Sequence, residues 1–233
     1  MSRFFKTILL TIGIGILIST VSVANARAQG PLSEALRRMD LNNKSLQSLS
    51  ADVTMVKLNV QLNESDTTSG TTKYLPKTAQ RGMYARIDWT KPVDEKVSVM
   101  GDDYELWRVR LQQVIYGKTK QASNGAAAGN ALSFMNMSRD QLRASYDVIW
   151  LGDESLSNGT PTWHLQLTPK GKTSYKSAEL WVDQNGMPQQ AKIIEANNDT
   201  TTVLLSNIKK NITLQASIFK LEYDPKKVKR IQG

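Results

Sequence analysis

The sequence predicts an α+β fold: one large antiparallel sheet with a helix ahead of it and one more helix interrupting it. Three observations lead there. From about residue 51 to the end, apolar and polar residues alternate in short runs, the period of strands with a single buried face. Helical spacing occurs in two places, before the first strand and once between strands. Strand patterns follow one another directly, without the β-α-β alternation that a parallel sheet needs. About eleven or twelve strands result, and a sheet that large curls towards a barrel or splits into a sandwich. Periodicity does not choose between the two.

The first helix is read in GPLSEALRRMDLNNKSLQSLS, where Leu32, Leu36 and Met39 recur at helical spacing. Ser33 suits the N-cap and Asn42-Asn43 the end, with a second short turn around Leu46 and Leu49. In VKLNVQL, Val56, Leu58, Val60 and Leu62 alternate with Lys57, Asn59 and Gln61, which puts those four apolar residues on the buried face. The polar NESDTTSG is expected to turn the chain back into TTKYL. RGMYARIDW sets Met83, Ala85, Ile87 and Trp89 on one face and Tyr84, Arg86 and Asp88 on the other. EKVSVM, YELWRV and LQQVIYG follow, with a turn at Gly101-Asp102-Asp103. Residues 117–130, GKTKQASNGAAAGN, read as a loop.

ALSFMNMSRDQLRASY is the second helix candidate, with Leu132, Met135 and Leu142 inward. Strands resume in YDVIWLG, TWHLQLTP, SAELWVD, PQQAKIIEA, TTVLLSNI and SIFKLEYDP. Asn185-Gly186 supplies the positive φ of a tight hairpin turn.

The chain has 233 residues, 40% hydrophobic and 22% charged, which suits one globular domain. Residues 1–28 are set apart as a signal peptide. Arg3 and Lys6 form a positive start, a chargeless apolar run spans about Thr7 to Val23, and Ala26-Arg27-Ala28 fits cleavage after Ala28. The competing reading, a retained anchor, is weakened by the glycines and hydroxyls that break up the run. Residues 29–233 form the domain. With no cysteine there is no disulfide, no thiol nucleophile and no site for lipidation of this chain itself, so the fold rests on its core. The formal charge of +9 falls to +6 once Arg3, Lys6 and Arg27 are removed. That excess suits either solubility or weak attraction to anionic membrane surfaces. Nucleic acid is not expected, because no aromatic-basic recognition motif accompanies the charge.

Chemistry is sparse. The single histidine, His164, should point away from Trp163 and Leu165 towards solvent, with no carboxylate partner in reach of a sequence argument. No nucleophile elbow accompanies it, and no phosphate-binding glycine loop occurs. Asp102-Asp103 and Asp153-Glu154 sit in turns, where short polar side chains serve the backbone. An enzyme is not expected, and neither is a metal or cofactor. Apolar surface remains: five tryptophans and eight methionines, types that fill cores and also line cavities for flexible ligands.

The order of these elements, from about Met39 to Lys229, resembles the LolA family of periplasmic outer-membrane lipoprotein carriers. SLQSLSADVTMV is similar to the family's helix-to-strand opening, and RGMYARIDWTKP to its arginine-and-aromatic strand ending in proline, here Pro92. VMGDDYELWRVRLQQV resembles its Leu-Trp strand pair, built on Gly101, Leu106 and Trp107. LQLTPKGKTSYKSAELWVDQNGMPQQAKIIEA is the best match, with Leu167, Pro169 and the Asn-Gly hairpin. SIFKLEYDPKKVKR resembles the closing strand and its proline turn.

The resemblance implies an incomplete, half-open antiparallel β-barrel of about eleven strands with a helical lid. It implies a strand arginine that holds the lid shut, with Arg81 and Arg86 both in the matching strand. It further implies acylated lipoproteins as cargo, an inner-membrane lipoprotein-releasing transporter as donor and an outer-membrane acceptor, with the chain acting as a monomer in the periplasm. On that basis Leu32, Leu36, Leu132, Phe134, Met135 and Leu142 are expected on the lid side. Met83, Ile87, Trp89, Val97, Trp107, Leu165 and Leu180 are expected in the barrel wall. Another lipid, glycolipid or phospholipid, carried or sensed by the same fold is one alternative. A scaffold that binds an envelope protein and carries nothing is the other.

Overall fold

A computed structural model describes residues 24–119 and 137–233. The expected signal segment up to residue 23, most of the glycine-alanine loop, and Leu132, Phe134 and Met135 lie outside the described residues. Helix α1 spans Ala24–Ser45. Six strands follow: β1 Leu49–Asn59, β2 Glu64–Leu75, β3 Tyr84–Lys91, β4 Glu95–Met100, β5 Asp103–Arg108 and β6 Gln113–Lys118. Helix α2, Arg139–Ser145, leads into β7 Tyr146–Ser155, β8 Pro161–Pro169, β9 Tyr175–Asp183, β10 Pro188–Glu195 and β11 Thr200–Lys210. A 3-10 turn at Ala216–Phe219 and a short β12, Lys229–Gln232, close the chain. Among the described residues, no helix is long and apolar enough to cross a membrane.

All twelve described strands join one open sheet in the order β12-β6-β5-β4-β3-β2-β1-β11-β10-β9-β8-β7. Two meanders, β1 to β6 and β7 to β11, are fused where β1 pairs with β11 along most of the two strands. The half-open antiparallel architecture with helices over it is therefore as expected. One pairing departs from it: β12 runs parallel to β6, because the chain crosses back over the sheet before joining the edge.

Five local expectations are corrected. The polar ESDTTSG is not a turn: it forms the first half of β2, paired with β1, and the chain reverses at residues 60–63. The helix does not begin at Ser33; it runs from Ala24 through Pro31, and it continues to Ser45, past Asn42-Asn43. No second helical turn forms at Leu46 and Leu49, since β1 starts at Leu49. β1 is the instructive case. Its buried face is Leu49, Ala51, Val53 and Met55, whereas Val56 and Leu58 are half-buried on the other face and Val60 and Leu62 are exposed. The apolar alternation in VKLNVQL belongs to a strand end that projects past the core, and choosing it shifts the register by one residue and flips the faces. Lastly, SIFKLEYDP is not a strand. It is the 3-10 turn and an extended strap laid across the outside of the sheet.

The strap is held by a built set of contacts. Phe219 is fully buried and its ring packs 5.8 Å from Tyr84. Arg86 donates to the Ile218 carbonyl at 2.6 Å and the Lys220 carbonyl at 3.4 Å. The Ser98 hydroxyl donates to the Phe219 carbonyl. Farther on, Tyr223 packs on Trp107, and its hydroxyl and Arg230 both meet Glu105.

Candidate functional site

The site is the concave face of the sheet. Alternation sends Leu49, Ala51, Val53 and Met55 of β1, Ile87 and Trp89 of β3, Leu165 and Leu167 of β8 and Leu180 and Val182 of β9 to that side. Ala191 and Ile193 of β10 and Val203 and Leu205 of β11 complete the surface. Two helices cover it in place of a second sheet. α1 contributes Ala35, Leu36 and Met39 at i, i+1 and i+4, while Glu34 and Arg37 face outward and pair at 2.8 Å. α2 contributes Leu142, fully buried, and is started by a capping box in which Ser138 and Gln141 satisfy each other's backbone amides. Side chains of the sheet and of both helices join one buried cluster. One open groove of about 500 Å³ lies at the margin, lined by Leu32, Leu36, Arg143, Tyr146, Asp147, Val148, Ile149 and Lys170.

Of the expected wall, Ile87, Trp89, Leu165 and Leu180 are buried in this core and Val97 packs against it. On the lid side, Leu36 and Leu142 are fully buried and Leu32 is half-buried at the groove. Met83 is half-buried but precedes β3 and stands outside the core cluster. Trp107 is a correction. Its register partner is Lys96, not Val97, so it faces the outer side and packs on Tyr223 at 5.7 Å. Leu106, opposite Val97, takes the inner position.

The two arginines are also placed differently from expectation. Arg86 does hold backbone carbonyls, but they belong to the outer strap. Its guanidinium is fixed by Asp88 at 2.9 Å. Arg81 donates to the Pro76 carbonyl at 3.0 Å and lies over the Tyr84 ring. Among the described residues neither reaches a helix, because alternation along β3 sends Arg86 to the face opposite Ile87.

Residues that periodicity passes over include Tyr146 and Tyr175, whose hydroxyls meet at 2.7 Å beneath the helices. Burial, with the Tyr146 contact, pushes the Tyr175 hydroxyl well above the usual tyrosine range. His164, expected in solvent without a partner, is instead stacked on Trp181 at 4.2 Å. Glu154 lies 2.8 Å from its Nδ1 and Glu179 3.3 Å from its Nε2. Cross-strand neighbours bring these acids together, and no sequence spacing reveals that. Among the described residues no group of three His, Cys, Asp or Glu side chains is arranged to hold a metal ion.

The apolar concave face of the sheet thus lies under α1 and α2. The sequence model described as "Outer membrane lipoprotein carrier protein LolA" matches residues 44–222. The chain belongs to the LolA family. Solved structures similar to it share the LolA-like fold at low identity. An uncharacterized conserved protein from Thermus thermophilus aligns with a TM-score of 0.54 and 13% identity, over 87% of this chain and 99% of its own. MucB aligns with a TM-score of 0.54 and 13% identity, over 83% of this chain and 63% of MucB, so the chain spans less than two thirds of MucB. A LolA superfamily protein from Nitrosomonas europaea aligns at a TM-score of 0.42 and 15% identity, over 81% of this chain and 97% of its own. Among curated proteins, none matches the chain. The LolA match covers the strands from β1 to β11 and the strap as far as Glu222, and so includes the whole concave face.

Proposed function

We propose that this protein is a periplasmic carrier that shields the acyl chains of lipoproteins between its inner and outer membrane partners. One observation carries the reading: the apolar face of the sheet is continuous from β1, β3 and β8 to β11, and among the described residues it is covered by helices α1 and α2 rather than by a second sheet. Each methylene exposed to water forfeits about 0.8 kcal/mol, so a cargo of about 40 methylenes would forfeit on the order of 30 kcal/mol on leaving a bilayer unaided. A carrier must offset that loss and still let go. Here Leu36, Met39 and Leu142 occupy the surface that acyl chains would take, so helix and cargo compete for one site. Competition of this kind permits both uptake and release. Removal of the first 28 residues on export would leave a chain with a net charge of +6, suited to passing anionic membrane surfaces.

The test is release. Purified protein lacking residues 1–28 is added to spheroplasts that hold a labelled triacylated lipoprotein and a competent releasing transporter. A soluble one-to-one complex is expected; labelled lipoprotein that stays membrane-bound overturns the reading. The single buried cluster of sheet and helices favours one second reading, an envelope scaffold that binds protein and carries no lipid. Loss of release together with failure to bind any acylated probe would support it.

A further inference from the structure

Helix α1 is fastened unevenly. Hydrogen bonds from α1 to the sheet and its turns gather at Arg38 and beyond. Arg38 donates to the Gln184 carbonyl in the β9–β10 turn and lies 5.4 Å over the Trp163 ring. Asn42, buried, donates to the Met187 sulfur at 3.5 Å and accepts from Lys210 at 2.9 Å. The Ser45 carbonyl accepts from Asn211 at 3.2 Å. The turn itself is shaped for the helix. Gly186 has φ +83, and a Cβ there would overlap the Arg38 carbonyl and fall 2.6 Å from the Met39 nitrogen. Backbone thus packs on backbone at that point, which glycine alone permits.

In the preceding turns Leu32, Ala35 and Leu36 pack on the sheet and its edge through apolar side chains. They border the open groove beside β7, where Tyr146 and Val148 form the floor and Arg143, Asp147 and Lys170 a charged rim, with Lys170 3.5 Å from Asp147. Apolar contacts are non-directional and can be exchanged for those of a ligand, whereas the hydrogen bonds and the close backbone fit at Arg38–Ser45 cannot.

We propose that α1 is a cover hinged at the β9–β10 turn, and that an acyl chain enters under its Leu32–Leu36 end through the groove beside β7. The inference rests on the carrier reading and adds its route. Gly186 and Arg38 are positioning residues: they keep one end of the helix docked while the other lifts.

The absence of native cysteine allows a direct test. Leu32→Cys with Ile149→Cys, joined by a short bis-maleimide, ties the entry end. Arg38→Cys with Gln184→Cys, joined likewise, ties the docked end. Binding of cis-parinaric acid, a fluorescent fatty acid, is measured before and after joining. Tying the entry end should weaken binding by about tenfold or more, because the open form is removed from the population. Tying the docked end should give the binding of the native protein, because the tie stands in for the lost Arg38 contacts. The reverse pattern, or equal loss from both ties, overturns the route. Hydrogen exchange along α1 is the readout that needs no ligand. Amides of residues 32–37 should exchange about tenfold faster than those of 38–45, and Arg38→Ala, unlike the control Arg37→Ala, should erase the difference. If no form binds the fatty acid but the exchange gradient is present and erased, the hinge stands and the carrier reading fails. A uniform helix in the native protein overturns the hinge itself.

Discussion

A single carboxylate organises the outer surface of α1. Glu34 accepts from Arg37 and Arg38 together, and those hydrogen bonds hold its carboxyl down to about 2 from an ordinary 4.5. A depressed carboxylate contributes stability that is present above its unfolded value and lost as pH falls through the folded one. The pairs, and with them the set of Arg38 towards the β9–β10 turn, should therefore be unchanged from pH 7 to pH 5. They should loosen between about pH 4.5 and 2, which hydrogen exchange of α1 amides would report; loosening already complete by pH 5 would refute the pairing. Tyr74 gives the opposite case. Burial pushes its hydroxyl up to about 12 from 10.0. Its contribution is whole below pH 10 and lost as pH rises towards 12, so urea midpoints should fall across that window. Tyr74→Phe should flatten the fall, and an identical slope in that variant would remove Tyr74 as its cause. At Phe219, fully buried in the strap, truncation to Ala should cost about 3–5 kcal/mol. A loss under about 1 kcal/mol would mean the strap packs loosely in solution.

The elements divide into those that local sequence specifies and those that packing specifies. α2 is short, and its capping box is the local signal that starts it. Ser138→Ala should weaken it by about 0.5–2 kcal/mol, seen as faster exchange at Gln141 and Leu142 with the sheet unaffected. The strap has no such signal. SIFKLEYDP alternates like a strand, yet it lies on the outer face because Arg86, Ser98 and the pocket beside Tyr84 receive it there. Arg86→Ala should expose the strap, with trypsin cutting at Lys226 and Lys227 several-fold faster, while fatty-acid binding stays as in the native protein. Altered binding with an intact strap would return Arg86 to the cover. At β1 the pattern that matters starts earlier and is shorter. ADVTMV carries the inward set Ala51, Val53 and Met55, and the more regular-looking VKLNVQL runs beyond the core.

At the scale of the molecule, β1 makes one sheet of two meanders by pairing with both β2 and β11. Unfolding should be a single transition. Tryptophans occur in both meanders, Trp89 and Trp107 in one and Trp150, Trp163 and Trp181 in the other, so fluorescence samples each. Its urea curve should coincide with that from far-UV circular dichroism, and two separated midpoints would show the meanders melting independently. Val53→Asp, at a position 1% exposed in the middle of β1, should abolish the fold of both halves together.

The amino-acid sequence alone determined the α+β class, the long antiparallel run of strands, and the shared order of motifs that marks the LolA family. Those are properties of local period and chain order, and neither needs a partner to be known. The inner residues of β3, β8 and β9 were legible for the same reason, because each strand alternates cleanly within its own length. Tertiary structure decided the rest. It turned Trp107 outward, placed His164 between two glutamates, and gave Arg86 to the strap and Arg38 to the turn at Gly186. Each of those depends on what another strand or turn brings to the same place, and such a contact has no period to read.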